Sequence, residues 1–190
     1  MRDIFLAMDE PTTYPERAPD SMPPLRLSDE EFSRAMESFT IVGTDVLFIN
    51  RERRSVYLAK RKALPLLGYW MIGGRMLAGE DPRTSMRRVA KRETGLELVA
   101  DRFSFVKLNR YLWKTRAQDP HEKGSDNLCY TFIAELTPEE IALAAANLDR
   151  QEYDVSAGLT EFDATSLAQA KGIHQAIRDL YAHVFPDVDI

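Results

Sequence analysis

The sequence contains a single cysteine, Cys129, among its 190 residues. No intramolecular disulfide can form, and this cysteine usage is typical of a reducing compartment. Cys129 lies in the apolar run 128–133, so we interpret it as part of the core. No apolar run approaches the roughly 20 residues that a membrane-spanning helix needs, and the N-terminal residues lack a secretory pattern. We therefore expect a cytoplasmic protein without a membrane partner.

An excess of positive charge is also missing, because the formal net charge is −5. Proteins that bind duplex nucleic acid are usually basic, so the composition disfavours a nucleic-acid partner. The hydrophobic fraction of 44% is enough for a sizeable core, and the length suits one domain. Prolines are concentrated between residues 9 and 24, where they oppose regular structure. We predict an N-terminal arm over 1–25 and one domain over 26–190.

Strand and helix patterns alternate along that domain. Ser28 and Glu31 form a capping-box pattern, which predicts a short helix to about residue 37. Residue periodicity and turn residues predict strands at about 40–49, 55–59, 97–112 and 127–135, and helices at about 82–94, 137–146 and 164–184. Mixed strands with helices between and after them predict an α+β sandwich.

Asp45 interrupts the otherwise apolar strand predicted over 40–49. A buried carboxylate is costly unless a partner compensates its charge. Two interpretations remain open from the sequence: a polar residue at a strand edge or barrel mouth, or a residue that contacts a ligand.

The helix predicted over 82–94 carries a carboxylate on its apolar face. At about 100° per residue, Glu93 falls in the same stripe as Met86, Val89 and Ala90. Such a carboxylate needs a positive charge or a metal ion beside it. Helix geometry alone leaves open an ion pair with Arg88, exposure at the helix end, or a metal ligand.

The loop before this helix extends the pattern. Five residues separate Gly74 from Glu80, and seven separate Glu80 from Arg88. Arg88 begins a run that ends in Glu-x-Gly-apolar at residues 93–96. This pattern resembles the Nudix box, and the residues in register are Gly74, Glu80, Arg88, Glu93, Gly95 and Leu96. The resemblance implies a Nudix-type α/β/α sandwich with a mixed β-sheet.

Two departures from the box affect the chemistry that it implies. Val89 and Arg92 stand where the family has its first two box glutamates, which act as metal ligands or catalytic carboxylates. A site that needs several divalent ions cannot be assembled here from box residues alone. The charge of Arg92 also opposes the clustering of metal ions nearby.

The chain is most similar to the GDP-mannose mannosyl hydrolase branch, which lacks the same two glutamates and keeps the third. That resemblance implies one Mg²⁺ (or Mn²⁺), held by the Gly73 carbonyl, Glu93 and Gln151. It also implies that Arg61 and Arg75 bind the diphosphate by charge-assisted hydrogen bonds. Water would attack the sugar carbon rather than phosphorus and release a nucleoside diphosphate and free sugar.

The same resemblance assigns further site residues. Asp45 would contact a guanine base, Tyr130 would contact the substrate, and Glu152 would be the catalytic base, in the place where the branch has a histidine. His121 is the only histidine near the loop where the branch has a second one, but its spacing does not match. Because family members are often dimers, a homodimer is also expected.

Three function classes remain open from the sequence. The first is a hydrolase of a GDP-mannose-like nucleoside-diphosphate sugar. The second is a conventional Nudix pyrophosphohydrolase that cleaves a diphosphate linkage and takes extra carboxylates from the tract 149–154. The third is a catalytically inactive module that binds a nucleotide or a protein partner, which the two losses in the box favour.

Overall fold

The computed structural model describes residues 10–18 and 21–189. Seven strands form one sheet: β1 (Ile41–Asn50), β2 (Ser55–Arg61), β3 (Gly68–Trp70), β4 (Ile72–Arg75), β5 (Ser104–Trp113), β6 (Ser125–Glu135) and β7 (Leu159–Phe162). The α-helices are α1 (Asp29–Ser38), α2 (Pro82–Thr94), α3 (Pro138–Asn147), α4 (Ala164–Gln169) and α5 (Gln175–Val184).

The sheet is mixed, and β1 lies at its centre. The strand order is β3-β2-β1-β6-β5, with β4 paired to β1 and β7 paired to β2. Strands β1 and β6 run parallel, while the other pairs are antiparallel. Strand β1 has partners on both sides, and its side chains alternate between the two faces of the sheet.

Helices cover both faces of the sheet. One apolar cluster joins Val46 and Phe48 of β1 to residues of α2 and α3, and the other joins Leu47 and Ile49 to residues of α4 and α5. The alternation along β1 therefore feeds two separate cores, as a strand covered on both faces requires. The predicted α+β fold with a mixed sheet between helical layers is confirmed.

Helix α2 begins and ends where the sequence predicts. Asp81 caps the N-terminus by accepting hydrogen bonds from the backbone N–H groups of Arg83 and Thr84. Gly95 ends the helix in the left-handed conformation with φ of +72°, which glycine adopts without strain. Glu93 is buried on the same face as Met86 and the residues around it, so the predicted carboxylate on the apolar face is confirmed.

Two boundaries differ from the sequence expectation. The single helix predicted over 164–184 is wrong: α4 and α5 are separated by a turn in which Gly172 has a φ of +78° and His174 caps α5. The strand predicted from residue 97 begins only at Ser104, because residues 100–102 form a short 3₁₀ turn. Apolar periodicity alone does not reveal such breaks, since both halves bury the same face.

The predicted arm over 1–25 lies partly outside the described residues, which begin at residue 10 and omit 19–20. Residues 10–18 contain no helix or strand, and Glu10 forms an ion pair with Arg83 at 2.9 Å. The arm and the domain boundary at residue 26 stay predictions. No helix in the described part of the chain is long and apolar enough to cross a membrane.

Candidate functional site

A cavity of about 460 Å³ opens on the face of the sheet that also packs against α4 and α5. Strands β1, β4, β5 and β6, the C-terminal end of α2 and helix α1 all contribute to its lining. Its volume falls in the usual range for small-molecule sites. The predicted site residues that line it are Asp45, Arg61, Gly73, Gly74, Arg75, Glu93 and Glu152.

Asp45 lies in the middle of β1, between Gly73 of β4 and Thr131 of β6. The strand-edge interpretation of this residue is therefore wrong, and its carboxyl group faces the cavity. Burial raises its pKa to about 7, and the nearby Cys129 thiol and the charge of Arg61 only partly oppose that shift. A Cβ atom on Gly73 would collide with Asp45 Oδ1, so the glycine leaves room for this carboxyl.

An aromatic wall formed by Trp70, Tyr111 and Trp113 lines one side of the cavity. Tyr111 stacks on Trp113 with ring centroids 5.1 Å apart, and Trp70 meets Tyr111 edge-on at 5.4 Å. The buried Tyr111 hydroxyl has no hydrogen-bond partner among the described residues. This wall was not predicted from the sequence, although residues 111 and 113 share a face once the strand extends to Trp113.

Arg61 and Glu152 form an ion pair at the mouth of the cavity, with 2.8 Å between Nη2 and the carboxylate. Arg61 is mostly buried, donates also to the Leu64 carbonyl, and lies over the ring of Tyr153. Its Nε atom has no acceptor within the part of the chain that the structure describes. One buried N–H group of Arg61 is therefore left without an acceptor.

The first half of the Nudix box is structural. Arg88 binds the carboxylate of Glu80 and donates to the Arg75 carbonyl at 2.8 Å. Although partial burial opposes it, hydrogen bonds from Arg88 and from the Leu77 N–H keep the pKa of Glu80 below its usual value. This pair joins the loop to α2 and so fixes where Arg75 leaves β4.

Arg75 is exposed, and its guanidinium lies 4.1 Å from the ring centroid of Phe32, which projects from α1. Partial burial and the charges of Arg88 and Arg92 lower the pKa of Arg75. Arginine still remains protonated at neutral pH. Arg75, Arg88 and Arg92 therefore lie near one another on this side of the cavity.

Glu93 is almost fully buried, and Arg92 holds its carboxylate. The Arg92 guanidinium donates from Nε to Glu93 Oε1 at 2.7 Å, and its Nη2 atom also contacts that oxygen. Burial raises the pKa of Glu93 although the Arg92 charge opposes the shift. The second carboxylate oxygen, Oε2, has no hydrogen-bond donor among residues 10–18 and 21–189. The ion pair with Arg88 that helix geometry leaves open does not form, because Arg88 pairs with Glu80.

The ligand set predicted for Mg²⁺ is not brought together. Gly73 and Glu93 both line the cavity, whereas Gln151 is exposed, does not line it, and uses its backbone N–H to bind Asp149. No group of three or more His, Cys, Asp or Glu residues within the described ranges is arranged to hold a metal ion. Mg²⁺ usually takes one or two protein carboxylates and completes its shell with waters and phosphate oxygens, and here the single candidate carboxylate, Glu93, is already paired with Arg92.

Two further candidates lie outside the cavity. Tyr130 does not line it, and its ring packs against Phe105 in the cluster on the α2 side of the sheet. Its neighbour Cys129 does line the cavity, and successive strand residues face opposite ways. His121 is exposed on a 3₁₀ turn, where its Nδ1 atom lies 3.0 Å from the Arg116 carbonyl.

A buried arginine, Arg116, attaches α1 to the loop between β5 and β6 and forms part of the cavity lining. Its Nη2 atom donates to Ser33 Oγ at 2.6 Å and to Glu37 Oε1 at 2.9 Å, and Nη1 donates to the Gly124 carbonyl. These bonds hold the helix from which Phe32 reaches Arg75. No local sequence pattern marks Arg116, because its partners in α1, Ser33 and Glu37, are about 80 residues away along the chain.

The family model described as the NUDIX domain matches residues 40–183 of this chain. That range includes the whole box and most of the cavity lining. No curated protein matches the sequence.

Solved structures share the fold at low identity. A MutT NUDIX hydrolase from Burkholderia pseudomallei is 16% identical with a TM-score of 0.57, over 77% of this chain and 98% of its own. The NUDIX domain of Shewanella oneidensis NrtR, complexed with ADP ribose, is 11% identical with a TM-score of 0.54, over 86% of this chain and 100% of its own. A NUDIX-family hydrolase from Clostridium perfringens is 14% identical with a TM-score of 0.54, over 80% and 99% of the two chains.

Proposed function

This chain belongs to the NUDIX domain family, and we propose that its cavity binds a nucleoside-diphosphate sugar and hydrolyses it to a nucleoside diphosphate and free sugar. The observation that carries the proposal is the meeting of Arg61, Arg75 and Arg92 in one cavity that also contains an aromatic wall and a buried carboxyl group. Guanidinium groups suit the oxygens of a diphosphate. Aromatic rings and a buried carboxyl group suit a nucleobase.

Attack at the sugar carbon needs little more than these groups. As water attacks, the bond between the anomeric carbon and the diphosphate oxygen breaks, and the diphosphate leaves with additional negative charge. Arg61 and Arg75 are placed to stabilise that charge, which is where electrostatic catalysis acts most strongly. The attacking water loses a proton, and Glu152, which lines the cavity, is the proposed base.

A diphosphate would also change the state of that base. In the free protein Glu152 is paired with Arg61. A phosphate oxygen that takes over Arg61 would release the carboxylate towards the attacking water. Glu152 would therefore become free to act as a base only when the substrate is bound.

The finer identity of the substrate rests on the resemblance to GDP-mannose mannosyl hydrolases. An ionised Asp45 accepts hydrogen bonds from two adjacent N–H groups, as on a guanine edge, so GDP-mannose is the first compound to test. The expected Mg²⁺ or Mn²⁺ would have to rely on Glu93 and the Gly73 carbonyl, because Gln151 does not line the cavity. A homodimer and a cytoplasmic location stay predictions.

The test is hydrolysis of a panel of nucleoside-diphosphate sugars in water labelled with oxygen-18. Label in the sugar supports attack at carbon, whereas label in phosphate supports the conventional Nudix reaction and overturns this proposal. Glu152→Gln should lower kcat by about 100-fold, as expected for loss of a general base. Glu97→Gln is a matched control, because Glu97 is exposed and pairs with Lys91 away from the cavity. Equal activity of both variants would remove Glu152 from the reaction.

The conventional reaction has little support from the carboxylates of the 149–154 tract. Only Glu152 of this tract lines the cavity, while Asp154 pairs with Lys60 and Asp149 accepts from the Gln151 N–H. Attack at phosphorus in two-metal enzymes needs carboxylates that hold two metal ions. The residues here do not supply them.

A second function, binding without catalysis, is favoured by one observation. Arg92 already pairs with Glu93, the one acidic residue kept of the three near the end of the box. The fold is shared with an NrtR domain whose structure contains ADP ribose. Tight binding of a nucleoside-diphosphate sugar with no turnover under any of the assay conditions would establish this function instead.

A further inference from the structure

We propose that Arg92 replaces the divalent cation of this site, so that the cavity binds its diphosphate ligand without any metal ion. The inference rests on the proposed binding of a nucleoside diphosphate, but not on its hydrolysis. It concerns the position in the box where the family has a glutamate and this chain has an arginine.

The first support is the place of the guanidinium. Arg92 donates from Nε to Glu93 Oε1 at 2.7 Å. On its other side, a Cβ atom built on Gly74 would lie only 2.9 Å from Arg92 Nη2. The guanidinium therefore lies close both to Glu93 and to Gly74, the neighbour of Gly73. Glu93 and the Gly73 carbonyl are groups that the family resemblance assigns to the metal, so a positive side chain lies beside them.

The second support is the charge around that position. Arg75 and Arg92 both line the cavity, and the guanidinium of Arg88 donates to the Arg75 carbonyl at 2.8 Å, so three arginines lie on this side. The two glutamates that line the cavity are already paired with arginines, Glu93 with Arg92 and Glu152 with Arg61, so a divalent cation would have to displace a guanidinium to reach either one. A diphosphate meets the opposite situation, because its negative charge is attracted by the same groups.

The third support is that Arg92 remains available to a ligand. Its side chain is half exposed, at 51%, while that of Glu93 is 2% exposed. Both residues line the cavity, but the guanidinium of the pair is far more exposed than the carboxylate. An arginine fork can bind a carboxylate and still offer further N–H donors to a phosphate.

The experiment measures binding of GDP, GDP-mannose and inorganic pyrophosphate to the full chain by calorimetry, first with excess EDTA and then with excess Mg²⁺ or Mn²⁺. The unmodified protein should bind GDP-mannose equally well under both conditions. Arg92→Ala should weaken binding in EDTA by at least about tenfold, the loss expected for a hydrogen bond to a charged group. Lys91→Ala is the matched control, since it removes the same charge from the same turn while Lys91 pairs with the exposed Glu97.

A charge-reversal variant gives a second readout. Arg92→Glu restores the carboxylate of the family pattern beside Glu93, so its binding of GDP-mannose should become dependent on Mg²⁺ or Mn²⁺. Electron paramagnetic resonance of Mn²⁺ mixed with protein alone should show bound metal for Arg92→Glu and none for the unmodified chain. Arg92→Lys keeps the positive charge but loses the paired N–H donors of the guanidinium. It replaces Arg92→Ala in the binding experiment if Arg92→Ala does not fold.

The outcomes separate this inference from the proposed function. Binding that disappears in EDTA and returns with Mg²⁺ in the unmodified protein overturns the inference, and so does Mn²⁺ bound by that protein. Binding in EDTA without turnover of any sugar nucleotide overturns the proposed hydrolysis and supports the inference. No binding of any probe under either condition overturns both.

Discussion

The buried carboxyl group of Asp45 should make the stability of this protein depend on pH in an unusual direction. Its pKa is about 7 in the folded protein, against an ordinary value near 3.9 in an unfolded chain. Between these two values the folded state holds a proton that the unfolded state has lost. The free energy of unfolding therefore falls as pH rises through this window, and the loss is complete above the folded pKa.

The size of the effect follows from the same two values. A shift of about 3 units corresponds to about 4 kcal/mol in total, at about 1.4 kcal/mol per unit. Between pH 5 and pH 8, the stability of the unmodified protein should fall by about 2.5 kcal/mol relative to Asp45→Asn, which cannot ionise. The other titrating groups are the same in both proteins, so their contributions cancel in the difference.

The assay is urea unfolding of both proteins at pH 5, 6, 7 and 8. The difference between their unfolding free energies should increase steadily and level off near pH 8. Asp101→Asn is a suitable control, because it removes the same charge from an exposed residue outside the cavity and should follow the unmodified protein. A constant difference between Asp45→Asn and the unmodified protein across this range would refute the account of Asp45 as a desolvated acid.

Three other changes test separate features of the site. Gly124→Ala should lose at least about 2 kcal/mol of stability in urea unfolding, because Gly124 has a φ of +63° and a Cβ there would run into a backbone carbonyl. Arg116→Ala should lower the free energy of unfolding by about 3 kcal/mol, because it breaks buried hydrogen bonds. Lys123→Ala removes only an exposed ion pair with Glu37 and should lower it by less than about 1 kcal/mol. Equal losses in the two variants would contradict the assigned role of Arg116. Tyr111→Phe should leave the free energy of unfolding unchanged or raise it by up to about 1 kcal/mol, because the Tyr111 hydroxyl has no hydrogen-bond partner in the described chain. The same variant should bind GDP-mannose more weakly in calorimetry.

The box could be predicted from the sequence because helix geometry is local. Once α2 is placed, the spacing of Arg88 and Glu93 along it fixes which way each of these side chains points. The capping residue Asp81 and the terminal Gly95 fix the ends of the helix. The polar interruption at Asp45 was visible for a similar reason, because an acid in an apolar strand needs an explanation wherever the strand lies.

Residues whose roles depend on distant partners could not be predicted in the same way. The position of Gln151 depends on the conformation of the loop between α3 and β7. In that loop Gln151 is exposed, whereas its neighbour Glu152 lines the cavity. Tyr130 depends on strand parity, because a shift of one residue exchanges the two faces of a sheet. Arg116 depends on contacts with α1 that no local pattern encodes.

The pairing of charges gives the two losses in the box a common physical meaning. Val89, where the box has a glutamate, belongs to the buried cluster between α2 and the sheet, and so it helps to hold the helix rather than a metal ion. Arg92, where the box has another, neutralises the buried Glu93. Arg75 then has no carboxylate within ion-pair distance among the described residues and is left to an incoming anion. A cavity built in this way attracts a diphosphate by protein charge alone. Removal of divalent cations should therefore leave binding of the diphosphate intact here, whereas it should abolish binding at a Nudix site that depends on metal ions.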